Sequence, residues 1–168
     1  MRCYRCPQYP TTFQRGFSML EILITLVIIA TALLGTAGLQ MYAMRVGQSG
    51  HLRTQAVFLA SDIAERMEAN RGAATIGSYA VGATNTPSVV TTDCSTTACN
   101  EASLAAFDIS QWENTIAGTL PQSSWEITQD ITGNPSTYTI RVSWSDRSSV
   151  STTHGETFSY TATRTVRN

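Results

Sequence analysis

Residues 15–21 read Arg15-Gly16-Phe17-Ser18-Met19-Leu20-Glu21, and residues 22–44 continue as ILITLVIIATALLGTAGLQMYAM, 23 consecutive positions without a charge. At about 1.5 Å per residue, a helix of that length spans roughly 34 Å, enough to cross a hydrocarbon core of about 30 Å. The upstream flank holds Arg2, Arg5 and Arg15 and no acid. Positive flanks stay on the cytoplasmic side, so a single pass is expected, with the amino terminus inside and everything after Met44 outside. A cleaved secretory signal shares this layout, but its apolar region runs only about 7–15 residues.

Glu21 stands at the start of this run, where an ionised carboxylate costs on the order of several kcal/mol unless something pairs with it. No Arg lies within the run. A partner from outside the segment is therefore expected, and a free α-amino group made by cleavage at the start of a neighbouring copy would serve. Snorkelling of the carboxylate to the headgroups is the plainer alternative.

The stretch from Arg15 to Glu21, with the apolar run behind it, resembles the class III signal of type IV pilins and pseudopilins. The resemblance implies that a prepilin peptidase/methyltransferase cuts after Gly16 and methylates the new amino terminus at Phe17, while Glu21 registers the subunit in the fibre. It divides the chain into a cytoplasmic leader, 1–16, a membrane and assembly helix, 17–44, an amphipathic continuation, 45–71, and a globular α+β domain, 72–168. A cut placed before the apolar segment leaves the helix attached as an anchor. Small residues then allow close helix packing in a fibre, and Ala30, Ala32, Gly35, Ala37 and Gly38 supply them. Many major pilins carry a proline where this chain has Gly38, so no proline kink is expected.

From Leu52 the apolar positions Leu52, Ala56, Leu59, Ile63 and Met67 form one stripe of an amphipathic helix, expected to dock on the chain's own sheet. The opposite face holds Asp62 and Arg66, a favourable four-residue pair. Asn70-Arg71-Gly72 reads as the stop, with Gly72 in the left-handed position. Residues 72–99 lose their charge, contain Pro87 and read as a long variable loop. Cys94 and Cys99 close it, and in an exported domain they are expected to form a small disulfide loop. Cys3 and Cys6 in the leader lack a second ligand pair, so a zinc site there is not expected.

Asn100 suits the cap of a second helix over 101–120, with Ile109, Trp112, Ile116 and Leu120 on one face, widened by Leu104 and Phe107, and Pro121 at its end. Glu101, Asp108 and Glu113 read as solvated acids. Period-two alternation then marks three strands: Trp125, Ile127 and Ile131; Tyr138, Ile140, Val142 and Trp144; Phe158, Tyr160, Ala162 and Val166. A turn over 131–136 and a longer polar loop over 146–155 predict an antiparallel meander. The fold expected is pilin-like α+β, a long amino-terminal helix packed on a small antiparallel sheet.

Composition narrows the function. The 168 residues include 11 basic and 12 acidic ones, every basic residue is Arg, and the formal net charge is −1. Without the leader, 8 Arg stand against 12 acids, a side-chain balance of −4. That argues against nucleic acid as a partner, although Arg141, Arg164 and Arg167 leave room for a patch that would suit a DNA-capturing minor pilin. His51 and His154 stand in no metal-binding or nucleophile-base spacing, so neither an enzyme, a metal nor a cofactor is expected.

Residues 58–71, FLASDIAERMEANR, resemble the type IV pilus modification protein PilV family of minor pilins, as do Phe107-Asp108-Ile109-Ser110-Gln111-Trp112 and Leu120-Pro121. The major-pilin disulfide near the carboxyl terminus is absent. The resemblance implies a low-abundance subunit in the inner membrane of a Gram-negative-type envelope, later in a fibre or tip complex. Its implied partners are other minor pilins, the major pilin and the pilus assembly machinery, and its implied role is pilus assembly with attachment or twitching motility. A minor pseudopilin of type II secretion is the alternative reading, and an amino-terminally anchored enzyme or binding module, which predicts no processing at Gly16, is a more distant one.

Overall fold

The computed structural model describes residues 16–146 and 155–168. The leader residues 1–15, with Cys3 and Cys6, and positions 147–154 of the expected polar loop, with His154, lie outside them. The chain divides into two units after Met41, and each is described by itself.

The first helix, α1, runs Met19–Ala69, 51 residues without a break, and its start is long and apolar enough to cross a membrane. Three threonine hydroxyls in that part are satisfied internally. Thr25, Thr31 and Thr36 donate their hydroxyls to the carbonyls of Ile22, Ile28 and Leu33 at 2.8, 2.9 and 2.9 Å. No O–H of these three is left for hydrocarbon to solvate.

In the second unit the rest of α1 is amphipathic, as the spacing predicts: Leu52, Ala56, Leu59, Ile63 and Met67 are all buried, together with Ala60 and Ala64. Each large apolar side chain placed there contributes about 1.5–3 kcal/mol. The expected stop at Asn70-Arg71-Gly72 is met, but the left-handed place given to Gly72 is corrected. α1 ends at Ala69, and a short helix α2, Arg71–Thr75, follows. Gly72 lies inside α2, and the left-handed glycine is Gly77, with φ +92°. The reason is local. The Asn70 side chain turns inward to Glu101 O at 2.8 Å and Tyr79 Oη at 3.3 Å, which breaks α1, while Ala73 and Ala74 still have surface to bury.

Residues 72–99 also hold a strand, β1, Val81–Thr84, so the expectation of three strands and an unbroken loop is corrected to four strands. β1 has four residues and an irregular register against its neighbour, too short for a period-two signal. The helix α3, Glu101–Thr119, is capped as expected: Ser103 N donates to Asn100 Oδ1 at 2.8 Å. It buries Ile109, Trp112 and Ile116, with Leu104 and Phe107 half-buried at its flank. Pro121 and Gln122, at φ 46°, make the turn into the sheet.

The strands β2, Ser124–Ile131, β3, Ser136–Asp146, and β4, Glu156–Val166, complete an antiparallel sheet in the order β1-β2-β3-β4. Trp125, Ile127, Tyr138, Ile140, Val142 and Trp144 line its inner face in one core with the α1 stripe and α3, and Phe158, Tyr160 and Ala162 pack partly buried against it. Ile131 departs from the expected face: the register shifts between Gln129 and Ile131, which leaves Ile131 exposed. The turn that follows contains Gly133, at φ +101°. The fold is the pilin-like α+β arrangement that the sequence predicts.

Candidate functional site

The bond between Gly16 and Phe17 lies in irregular chain just ahead of α1, and Phe17 is 80% exposed. Ser18 starts the helix. Its hydroxyl accepts from Leu20 N at 3.3 Å, and its carbonyl accepts from Glu21 N at 3.0 Å and Ile22 N at 3.3 Å. The cut that the resemblance implies thus falls outside helical geometry, in exposed chain.

Glu21 falls in the first turn of α1, where its negative charge complements the unsatisfied N–H groups of the helix start. Ser18 and Glu21 also stand at capping-box spacing, a signal available in the sequence that a reading of Glu21 by charge alone passes over. Among the described residues, none places a cation within ion-pair distance of Glu21. A Cβ added at Gly35 or Gly38 would meet nothing within 4 Å. Both are open notches on an exposed helix, where another helix can approach the backbone closely.

A second group of residues joins the end of α1 to the rest of the domain. Arg66 bonds Asp62 at 3.1 Å, as the spacing predicts, and also Asp108 and Gln111, each at 3.2 Å. Tyr79 donates to Asp108 Oδ2 at 2.7 Å. Burial and the neighbouring Asp108 carboxylate hold the Tyr79 phenol well above its ordinary range. Glu68 pairs with both Arg71 and Arg164 at 3.2 Å, and Trp112 Nε1 donates to Leu59 O at 2.7 Å.

The reading of Asp108 and Glu113 as solvated acids is corrected, since they are 9% and 1% exposed. Glu113 accepts from Trp125 Nε1 at 2.9 Å and from Ser88 N at 2.6 Å, and it also accepts from the Ser88 hydroxyl. Ser110 Oγ donates to Ser88 O at 2.9 Å, so α3 grips the loop backbone on both its N–H and its C=O. The Cys94–Cys99 disulfide is formed as expected and closes the loop ahead of α3. Two hydrogen bonds from Ser95 hold Asp93, beside it, below the usual carboxylate range.

The arginines considered as a basic patch do not converge. Arg141 pairs across the strands with Thr161, on the outer face of the sheet, while Arg164 shares the inner face with Tyr138 and is tied to Glu68. A groove of about 520 Å³ lies between Gln48, Leu52, Pro121, Gln122 and Ser145. Among the described residues, no three of His, Cys, Asp and Glu come together in a way that could hold a metal.

A helix long and apolar enough for a membrane, preceded by an exposed and irregular Gly-Phe bond and ending in an α+β head, is a pilin-like layout that fits membrane anchoring. Residues 12–37 match the prokaryotic N-terminal methylation motif, and residues 38–110 match the Tt1218-like family, described as type IV pilin Tt1218. Over these stretches the chain is similar to type IV pilins, and the two matches support a pilin or pseudopilin with a class III prepilin leader. The leader implies processing by a prepilin peptidase and assembly with pilus-type machinery. No curated protein and no solved structure matches the chain.

Proposed function

We propose that the chain is a minor pilin of the PilV kind, processed after Gly16, methylated at Phe17 and built with other minor pilins and the major pilin into a priming or tip complex. The role is structural, with no catalysis and no cofactor. The observation that carries this reading is the leader motif set directly before one unbroken helix, Met19–Ala69. Before assembly the helix holds the subunit in the inner membrane as a single pass, amino terminus inside and head outside, in a Gram-negative-type envelope. Attachment and twitching motility are the processes it serves. The PilV-like stretch at 58–71 supports the subtype through its roles in the fold: Arg66, Met67, Glu68 and Asn70 each hold the head together from the end of α1.

The test is mass spectrometry of the amino-terminal peptide from sheared surface fibres and from membranes. The chain has no lysine, so the α-amine is its only primary amine, and methylation is read there without competition. N-methylated Phe17 in the fibres is the expected result. That terminus in membranes alone favours the type II secretion pseudopilin, and an intact Met1 or a cut beyond Met44 overturns the reading.

A further inference from the structure

The two edges of the sheet are treated differently. β1, at one edge, has four residues and a shifted register, two of the devices by which natural sheets blunt an edge. β4, at the other, is eleven residues long and pairs with β3 at every position from Glu156 to Val166 with no bulge. It contains no proline, and its only charges are Glu156 and Arg164, so among the described residues 157–163 is an uncharged, regular edge. Its inner row, Phe158, Tyr160 and Ala162, is only partly covered, while Thr157, Ser159, Thr161 and Thr163 are exposed. About half of the backbone N–H and C=O groups of such a strand point away from the sheet.

We propose that the free edge of β4 over residues 157–163 is a docking strand, on which an extended, uncharged segment of another pilin-type subunit adds as a fifth strand. This inference rests on the reading that the chain assembles with other subunits. The incoming strand would place apolar side chains beside Phe158, Tyr160 and Ala162 and hydroxyl or other small side chains beside the Ser/Thr row.

Head-to-tail pairing with a second copy offers only β1, whose four residues and irregular register do not match the eleven-residue edge, and a β4-to-β4 pairing would show in the experiment as concentration-dependent protection.

The experiment is amide hydrogen exchange on the full processed chain, first purified in detergent micelles and then in its native assembled form from the cell. In micelles, alternate amides of 157–163 are expected to exchange fast. In the assembly the same amides should slow at least about tenfold. Exchange at the micelle rate in the assembly overturns the proposal, and protection that rises with concentration of the purified chain reassigns the edge to a second copy and overturns it too. A paired variant, Thr161→Lys with Thr163→Lys, adds the charges that natural edges use against pairing. It should leave tryptophan emission and melting unchanged and lower incorporation at least about tenfold, whereas normal incorporation counts against the docking strand. Cleavage after Gly16 is scored in the same samples, so a failure of the pilin reading shows as an unprocessed terminus and is distinct from a failure at β4.

Discussion

Arg66 on α1 and Asp108 on α3 meet at 3.2 Å across 42 positions of sequence, and Asp108 is at the same time the acceptor for the Tyr79 hydroxyl at 2.7 Å. One carboxylate therefore ties the end of the long helix to the second helix and to the segment that leads into β1. Removing it takes the shorter of two acceptors from the buried phenol, leaving Arg66 O at 3.4 Å, and one of three from the half-buried guanidinium. Asp108→Ala is expected to cost about 2–3 kcal/mol, and Asp108→Asn, which keeps an acceptor oxygen, about half of that. Urea unfolding followed by tryptophan emission measures both, because Trp112, Trp125 and Trp144 are all buried. A loss below about 0.5 kcal/mol for the alanine variant would show that the junction does not depend on this carboxylate.

The loop ahead of α3 is held at two points of unequal strength. Glu113 is buried with three donors on it, and charge-assisted hydrogen bonds of this kind are worth about 1.5–3 kcal/mol each when a partner is lost. The Cys94–Cys99 bridge closes a loop of only five positions, for which the chain-entropy account gives about 2 kcal/mol or less. Glu113→Ala should destabilise the head by about 2–4 kcal/mol and expose the Ser88 amide to exchange. Replacing both cysteines by serine should mainly speed proteolysis between 85 and 99. The reverse ranking in melting experiments would contradict the burial of Glu113.

How much of this was legible in the sequence depends on the range of the interactions involved. The apolar run and the stripe from Leu52 to Met67 are periodic, so α1 can be read directly. The cap at Asn100 and the inner face of β3 are local patterns too, and they appear where expected. Glu113 carries no such signature. Its partners, Ser88 and Trp125, lie 25 positions before and 12 after it, and nothing near it in sequence marks it as buried. β1 is missed because four residues cannot show an alternation. The stop after Ala69 is read correctly, while the left-handed place given to Gly72 is misread because Asn70 breaks the helix with its side chain, through Glu101, 31 positions away. At the leader the motif is legible, and so is the capping-box spacing of Ser18 and Glu21, which a reading of Glu21 by charge alone passes over.

Two tyrosines make the head sensitive to alkali. Burial, with the Asp108 carboxylate beside one of them, raises Tyr79, and burial raises Tyr138, whose hydroxyl donates to Ala74 O. A group whose folded pKa is raised contributes stability that is complete below the unfolded value, about 10 for a phenol, and is lost as pH climbs above it. Tyrosinate absorbance from these two residues should therefore appear only together with unfolding. In Tyr79→Phe the alkaline loss of stability should become shallower. Reversible ionisation of all tyrosines in the folded state near pH 10 would refute the assignment.

Glycines in the two units should respond in opposite ways. Gly77 holds φ +92°, and a Cβ there would stand 2.7 Å from Gln129 Oε1, so Gly77→Ala combines backbone strain with a side-chain shift. A cost of about 1–2 kcal/mol is expected in melting, with assembly reduced only as stability falls. Gly35→Leu meets open space, so the isolated chain should melt normally while incorporation into fibres or complexes drops. Normal incorporation of Gly35→Leu would remove Gly35 from the packing surface.

The start of α1 separates processing from assembly. Gly16→Phe should block cleavage, because a bulky side chain then stands in the irregular segment ahead of Ser18, and the uncleaved protein should remain in the membrane. Glu21 allows a sharper comparison, since its first-turn position gives it a local role in starting the helix besides the pairing with a neighbour's amino terminus that the resemblance implies. Glu21→Gln keeps the size and hydrogen-bonding capacity and loses the charge, whereas Glu21→Leu loses both. If pairing with a charged terminus is the role, both variants are cleaved and both fall by about tenfold or more in incorporation. If the local role dominates, Gln assembles nearly as well as Glu and only Leu fails. Quantifying Phe17 peptides in membrane and fibre fractions of the two variants distinguishes these outcomes, and normal assembly of Glu21→Leu removes both roles.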